Sequence, residues 1–162
     1  RPPRSTLFPY TTLFRSSAHL DMDANKRYLG FQDACRRLSV DKPSAVDAAE
    51  RQFVRMDYQE TVAEIFRNHP DVDGILCSND VIAAEIIQYC RRHEIDIPGR
   101  LKLIGYDDTR FASLCSPQLT TIHQPVEDIC RYAVESILHA SSGWVVPTCA
   151  VFPVTLVTRE TT

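Results

Sequence analysis

The 162-residue chain contains no run of about 20 mostly apolar residues, so no segment of it reads as a membrane-spanning helix. It also lacks the secretory pattern of a basic start, an apolar core of about 7–15 residues and a small-residue cleavage site. Pro9, Tyr10, Thr11, Thr12 and Arg15 interrupt the first apolar stretch. The six cysteines (Cys35, Cys77, Cys90, Cys115, Cys130 and Cys149) form no C-x-x-C pair. His19, His69, His93, His123 and His139 stand alone, so neither zinc spacing nor a His-based triad is supported. Phosphate-binding glycine loops and the G-x-S-x-G nucleophile elbow are missing as well. Asp107 and Asp108 are adjacent, so their side chains diverge instead of forming a catalytic carboxylate pair. No enzyme activity, metal or cofactor is therefore expected.

Basic charge is not in excess either. The formal net charge is −3, and three of the 18 Lys and Arg residues (Arg1, Arg4 and Arg15) lie in the opening stretch. Without them 15 cations face 21 Asp and Glu, a balance of −6. Grip on nucleic acid comes largely from Lys and Arg on phosphates, so this chain is not expected to hold DNA by itself. Cysteines placed within apolar periodic runs pack as small hydrophobes. That usage points to a reduced, cytoplasmic protein.

From residue 24 onwards helical and strand patterns alternate. "ANKRYLGFQDACRRL" sets Tyr28, Phe31, Cys35 and Leu38 on one helical stripe. "RQFVRM" is a short strand candidate, and "YQETVAEIFRNH" returns to helix. The apolar run Gly74–Cys77 is followed by Ser78-Asn79, either of which can cap the helix "DVIAAEIIQYCRRHE". "LKLIGY" is the next strand and "LTTIH" another, and a helix starts at Pro125 with Val126, Ile129, Cys130, Ala133 and Ile137 along one side. "CAVFPVTLVTR" reads as strand broken by Pro153. Such alternation predicts an α/β fold, a parallel sheet with helices on both faces. Ligands of open α/β sheets sit outside the carboxyl ends of the strands. That rule singles out Ser78-Asn79-Asp80 and Asp107-Asp108.

Five segments, "RYLGFQDA", "DGILCSNDVIAAEII", "IDIPGRLKLIGYDDTRFA", "PQLTTIHQP" and "VFPVTLVTRETT", occur in this order. Together they resemble the effector-binding region of the lactose/galactose repressor (LacI/GalR) family of bacterial transcription regulators, from about Ala24 to Thr162. "TIHQP" with "FPVTLVTRETT" is most similar to repressors of sucrose- or ribose-type operons. The resemblance implies a periplasmic-binding-protein-like (type I) fold, of which residues 17–162 would be the C-terminal subdomain. Most of the N-terminal subdomain and the DNA-binding head would lie outside the chain.

It further implies a small effector such as a sugar bound in an inter-subdomain cleft, a homodimer, and operator DNA engaged only through the head. The alternative with the same fold is an extracytoplasmic sugar-binding protein of a transport system. Carried over by motif, the effector-binding residues would be Arg27 (three before Gly30-Phe31), Asn79 of "SND", Asp107 of "YDD" and Tyr58 of "MDY". Asp80 and Asp108 would hold the loops, and Leu114 and Cys115 would lie near the dimer interface. Two positions depart from the family pattern. Met56 stands where a glycine is frequent, which bears on Tyr58, and Glu85 stands in the next helix where a glycine is frequent, which bears on subunit packing.

The opening "RPPRSTLFPYTTLFRS" can be back-translated in one frame into a widely used short-read sequencing adapter. Residues 1–16 are on that reading artefactual, disordered and outside the fold, with the natural part starting at Ser17.

Overall fold

A computed structural model describes residues 11–16, 23–39, 44–48, 58–145, 147 and 149–162. Eleven elements follow one another within them. They are β1 (Thr11–Ser16), α1 (Asp23–Arg37), β2 (Ser44–Ala48), α2 (Gln59–Asn68), β3 (Gly74–Cys77) and α3 (Asp80–Arg92). Then come β4 (Lys102–Asp107), α4 (Arg110–Leu114), β5 (Thr120–His123), α5 (Val126–Ser141) and β6 (Thr155–Val157). The strands form one sheet in the order β2-β1-β3-β4-β5-β6. All pairings are parallel except β5–β6, which is antiparallel.

The alternation expected from the sequence is thus present, with three differences. Thr11–Ser16 is not disordered. It forms β1 and pairs with β2 on one side and β3 on the other. Whatever the origin of its codons, T-T-L-F is a β-prone run, and it satisfies the facing backbone groups of both neighbours. The second strand is Ser44–Ala48, and "RQFVRM" lies outside the described residues. The C-terminal strand is confined to Thr155–Val157, beyond Pro153.

Sheet register decides which residues share a face. Ile75 lies beside Leu103, and with Cys77 they belong to one core containing Val62 and Ile65 of α2 and Ile82 and Ile86 of α3. The opposite face carries Ile104 and Tyr106, side by side with Thr120 and Ile122 of β5 in the strand register. There α1 reaches the sheet, with the Arg27 guanidinium over the Tyr106 ring. Helices therefore cover both faces.

Residues 159–162 close the sheet at the starts of β4 and β5. Thr161 is fully buried. Its Oγ1 donates to Leu103 O at 2.7 Å and accepts from Thr120 N at 2.9 Å, while its carbonyl accepts from Leu103 N at 2.9 Å. Thr161→Val keeps the shape but removes the hydroxyl, leaving a buried donor unpaired. It is expected to lower unfolding free energy by about 1–3 kcal/mol, with Thr161→Ser costing less, as read from urea midpoints.

Helix α5 carries the amphipathic stripe expected of it, yet none of its residues is buried. Val126 is 55% exposed and Ile137 68% exposed, and Trp144 just beyond the helix is 72% exposed. Ile129 of the stripe is half-buried and Phe152 meets Tyr132 of the same helix edge-on, but most of the apolar stripe is open to solvent.

Candidate functional site

Strands β3, β4 and β5 run parallel, so the segments after Cys77, Tyr106 and Ile122 emerge at the same edge. The polar residues singled out in the sequence gather there. Asn79 is the N-cap of α3, and its side-chain Oδ1 accepts from Ile82 N at 2.9 Å. Capping therefore engages its amide oxygen, while Nδ2 is a donor pair. Arg27, on the second turn of α1, donates from Nη1 to the Ser78 carbonyl at 2.6 Å. Its Nη2 lies 3.8 Å from Asp107 Oδ1, and its Cζ is 3.8 Å from the centroid of the Tyr106 ring. Gln124, after β5, donates from Nε2 to the same Asp107 oxygen at 2.6 Å. Arg27, the loop after β3, the end of β4 and the loop after β5 are in this way linked in one chain of contacts.

Asp107 has an unusual backbone for a non-glycine residue, with φ of 103°, and Asp108 follows at φ of 50°. Such conformations cost of order 1–3 kcal/mol each and persist only where the surroundings hold them. Burial pushes the Asp107 carboxyl above its ordinary range. Arg27 and the Gln124 hydrogen bond pull the other way, and nearby Asp80 adds to the rise. A carboxyl raised on folding binds more protons in the native than in the unfolded state between the two pKa values. Its contribution favours the fold below the unfolded value of about 3.9 and is lost as pH rises through the folded value. Asp107→Asn is accordingly expected to raise the melting temperature at pH 7, with the gain fading below about pH 4. A thermal melt series from pH 3 to pH 8 reads this directly.

Asp80 and Asp108 sit behind these groups. Asp80 is fully buried. Its Oδ2 accepts from Thr109 N (2.6 Å) and Thr109 Oγ1 (3.0 Å), and its Oδ1 accepts from Thr121 Oγ1 (2.5 Å). It thus ties the start of α3 to the loop after β4 and to β5. Gly105 makes room for it, since a Cβ there would run into the Asp80 carboxylate. Asp108 receives Arg159 Nη2 on Oδ1 at 2.7 Å and has His123 Nδ1 at 3.0 Å from Oδ2. Arg159 also donates to Leu119 O at 2.9 Å.

Tyr58 is placed elsewhere, against the expectation that it faces a ligand. It is 1% exposed and packs in the α2–α3 core, on the face of the sheet opposite Arg27 and Tyr106. Burial, and next the Glu85 carboxylate, push its phenol up. Apolar packing won over the cleft because the residue sits at the N-cap of α2, directly over that core. Glu85 accepts from Gln59 Nε2 at 2.6 Å, which joins α2 to α3, and Met56 lies outside the described residues. Leu114 is exposed beside an exposed Phe111, whereas Cys115 is half-buried against the core. All six cysteines are free thiols. Cys90 is pushed up to about 12, chiefly by burial, so its thiol is inert as a nucleophile.

Gln124, Tyr106 and Arg159 were not singled out in the sequence. Gln124 was within reach of it, because it directly follows the strand "TTIH", whose carboxyl end is the ligand-facing end.

What converges at this edge is a set of donors and acceptors with little spare charge. Arg27 and Asn79 offer donors, Asp107 offers an acceptor, and the Arg27 cation faces the Asp107 carboxylate. A hydroxyl both donates and accepts, so vicinal hydroxyls match the set. The domain is an open, mostly parallel α/β sheet with a polar cluster outside its carboxyl edge. The chain belongs to the family of periplasmic binding protein-like domains, whose model matches residues 10–162.

The resemblance to LacI/GalR regulators is borne out by individual relatives. The chain is 32% identical over 152 residues to the ribose operon repressor of Bacillus subtilis, covering 93% of this chain and 45% of that protein. It is 33% identical over 102 residues to the sucrose operon repressor of Streptococcus mutans, covering 63% and 32% respectively. Among solved structures, a LacI-family transcriptional regulator from an Arthrobacter species, in complex with lactose, superposes with a TM-score of 0.78 at 25% identity. That match covers 95% of this chain and 58% of that one. The chain thus spans less than half the length of these two curated relatives.

Proposed function

We propose that this chain is the ligand-sensing part of a DNA-binding transcription regulator of carbohydrate utilisation, a repressor, that takes up a small sugar in an inter-subdomain cleft. The observation that carries it is the meeting of Arg27, Asn79 and Asp107 at the carboxyl edge of the sheet. Names of the relatives add to it. Those of Bacillus subtilis and Streptococcus mutans are operon repressors for ribose and sucrose. They favour a regulator over a transport-associated sugar-binding protein, and neither name is that of an enzyme.

In this reading the described site is one wall of the cleft. Asp107 Oδ2 accepts from sugar hydroxyls, while Asn79 Nδ2 and the in-plane N–H groups of Arg27 donate to them. A preceding subdomain supplies the other wall and covers the apolar face of α5 and Trp144. Operator DNA is held by a helix-turn-helix head outside these residues. Closure of the two walls on sugar shifts the regulator between forms of high and low operator affinity. A second copy packs on the face that presents Phe111, Leu114 and Cys115. Residues 17–162 are then the C-terminal subdomain, and the protein works in the cytoplasm.

The gene itself tests the class. Reading the source DNA upstream of the Ser17 codon with an adapter-independent primer should reveal a first sugar-binding subdomain preceded by a helix-turn-helix. A signal peptide in that place would transfer the protein to the transport class instead.

A further inference from the structure

Tyr106 has no assigned part in the site, yet it touches Arg27, which together with Asn79 and Asp107 forms the proposed effector clamp. Its ring lies on the α1 face of the sheet, next to Ile122 in the register, and is partly exposed. The Arg27 guanidinium carbon sits 3.8 Å from the ring centroid, well inside the roughly 6 Å at which a cation is held by an aromatic face. We propose that Tyr106 is a positioning residue. Its ring fixes the plane of the Arg27 guanidinium, so that Arg27 meets an effector with its edge.

Three constraints on Arg27 define that plane. The ring blocks one face, the Ser78 carbonyl takes an Nη1 proton at 2.6 Å, and Asp107 stands 3.8 Å from Nη2. An arginine side chain left free loses much rotamer freedom on binding. Held in advance, it offers its remaining N–H groups as a planar fork with that cost already met. The side chain of Arg27 is 26% exposed, so the fork is still reachable from the cleft. A lysine at this position would have neither the plane to stack nor the fork to present. Because Tyr106 immediately precedes Asp107, one short segment supplies both the acceptor and the platform for the donor.

This inference rests on the sugar-sensing reading for its consequence but not for its geometry, and two measurements separate them. The first is side-chain NMR of the Arg27 Nε–H and Cδ–H₂ groups in this chain. Wild type and Tyr106→Phe should show ring-current-shifted signals and slow guanidinium rotation. Tyr106→Leu should move Arg27 to the values of a solvated arginine while the α1 and β4 amides stay dispersed. Arg27 signals unchanged in Tyr106→Leu would overturn the proposal.

The second is titration of the intact regulator with D-ribose and with sucrose. Tyr106→Leu should weaken binding about 3- to 30-fold, and Tyr106→Phe should restore it. In an Arg27→Ala background Tyr106→Leu should add no further loss. A full further loss in that background would show that the ring acts apart from Arg27 and would also overturn it. Failure of both sugars to bind wild type counts against the sugar reading alone, since the NMR result decides the role of the ring.

Discussion

Replacing Asp80 by alanine is expected to cost the domain about 3–5 kcal/mol, the largest stability loss of any single polar substitution described here. The carboxylate is fully buried and accepts three hydrogen bonds, from Thr109 N, Thr109 Oγ1 and Thr121 Oγ1. Truncation strands a backbone N–H and two hydroxyls in the interior, and each buried group without a partner costs about 1–3 kcal/mol. The three losses overlap, because the threonine hydroxyls can turn to other acceptors, so the sum falls short of three full penalties. The first turn of α3 also loses an acidic residue that its N-terminal dipole favours. Asp80→Asn, which keeps the shape and one acceptor oxygen, should be milder. Urea unfolding with an unchanged m-value is the measurement. A loss under 1 kcal/mol would mean that the loops after β3 and β4 hold their positions without this carboxylate.

Asp107 should behave in the opposite way. Asp107→Ala is expected to weaken effector binding by about 2–5 kcal/mol, roughly 30-fold to a few thousand-fold, as for removal of a buried hydrogen-bonded charge. The same substitution removes a carboxyl that burial pushes up, while the backbone at φ of 103° is no easier for alanine, which keeps its Cβ. Folding stability at pH 7 should therefore change little while affinity collapses. Two neighbouring acidic positions thus separate. Asp80 serves the fold through three internal hydrogen bonds, whereas Asp107 is a half-buried carboxyl whose contribution would show in binding. Calorimetric titration and melting curves on the same two variants distinguish them. Affinity untouched in Asp107→Ala would remove Asp107 from the clamp.

How much of this was legible in the sequence depended on range. Gly74–Cys77 ends its apolar run at Ser78-Asn79, and both the strand and the cap can be read locally. The same holds for β4 and for the helix boundaries at Asp80 and after Pro125. Asn79 and Asp107 follow from the strand-end rule and Arg27 from motif resemblance; β3 and β4, parallel neighbours in register, bring the first two to one edge, and α1 brings Arg27 to the Ser78 carbonyl there. Contacts across 40 or more residues were not legible. Thr161 bonding to Leu103 near the start of β4 (58 residues apart) and Arg159 to Asp108 just past its end (51 apart) arise only when the C-terminal residues return to the sheet.

Tyr58 shows a different limit. An aromatic residue before a helix suits a cleft or a core equally, and the side of the sheet on which α2 packs decides the matter. Periodicity likewise identified the stripe on α5 without saying what covers it. Thr11–Ser16 is the sharpest case. Its codons argued for an artefact, while its residues are β-prone and take the place between β2 and β3. A sheet position selects on side-chain and backbone chemistry, and the history of the DNA has no part in that.

The most direct test of the sugar-sensing proposal is a thermal-shift comparison of the full-length protein against a panel of neutral sugars that includes D-ribose and sucrose. Wild type, Asp107→Ala and Asp108→Ala would be run side by side. One sugar of the panel is expected to raise the melting temperature of wild type and of Asp108→Ala but not that of Asp107→Ala. A sugar that stabilises Asp107→Ala as much as wild type would contradict it.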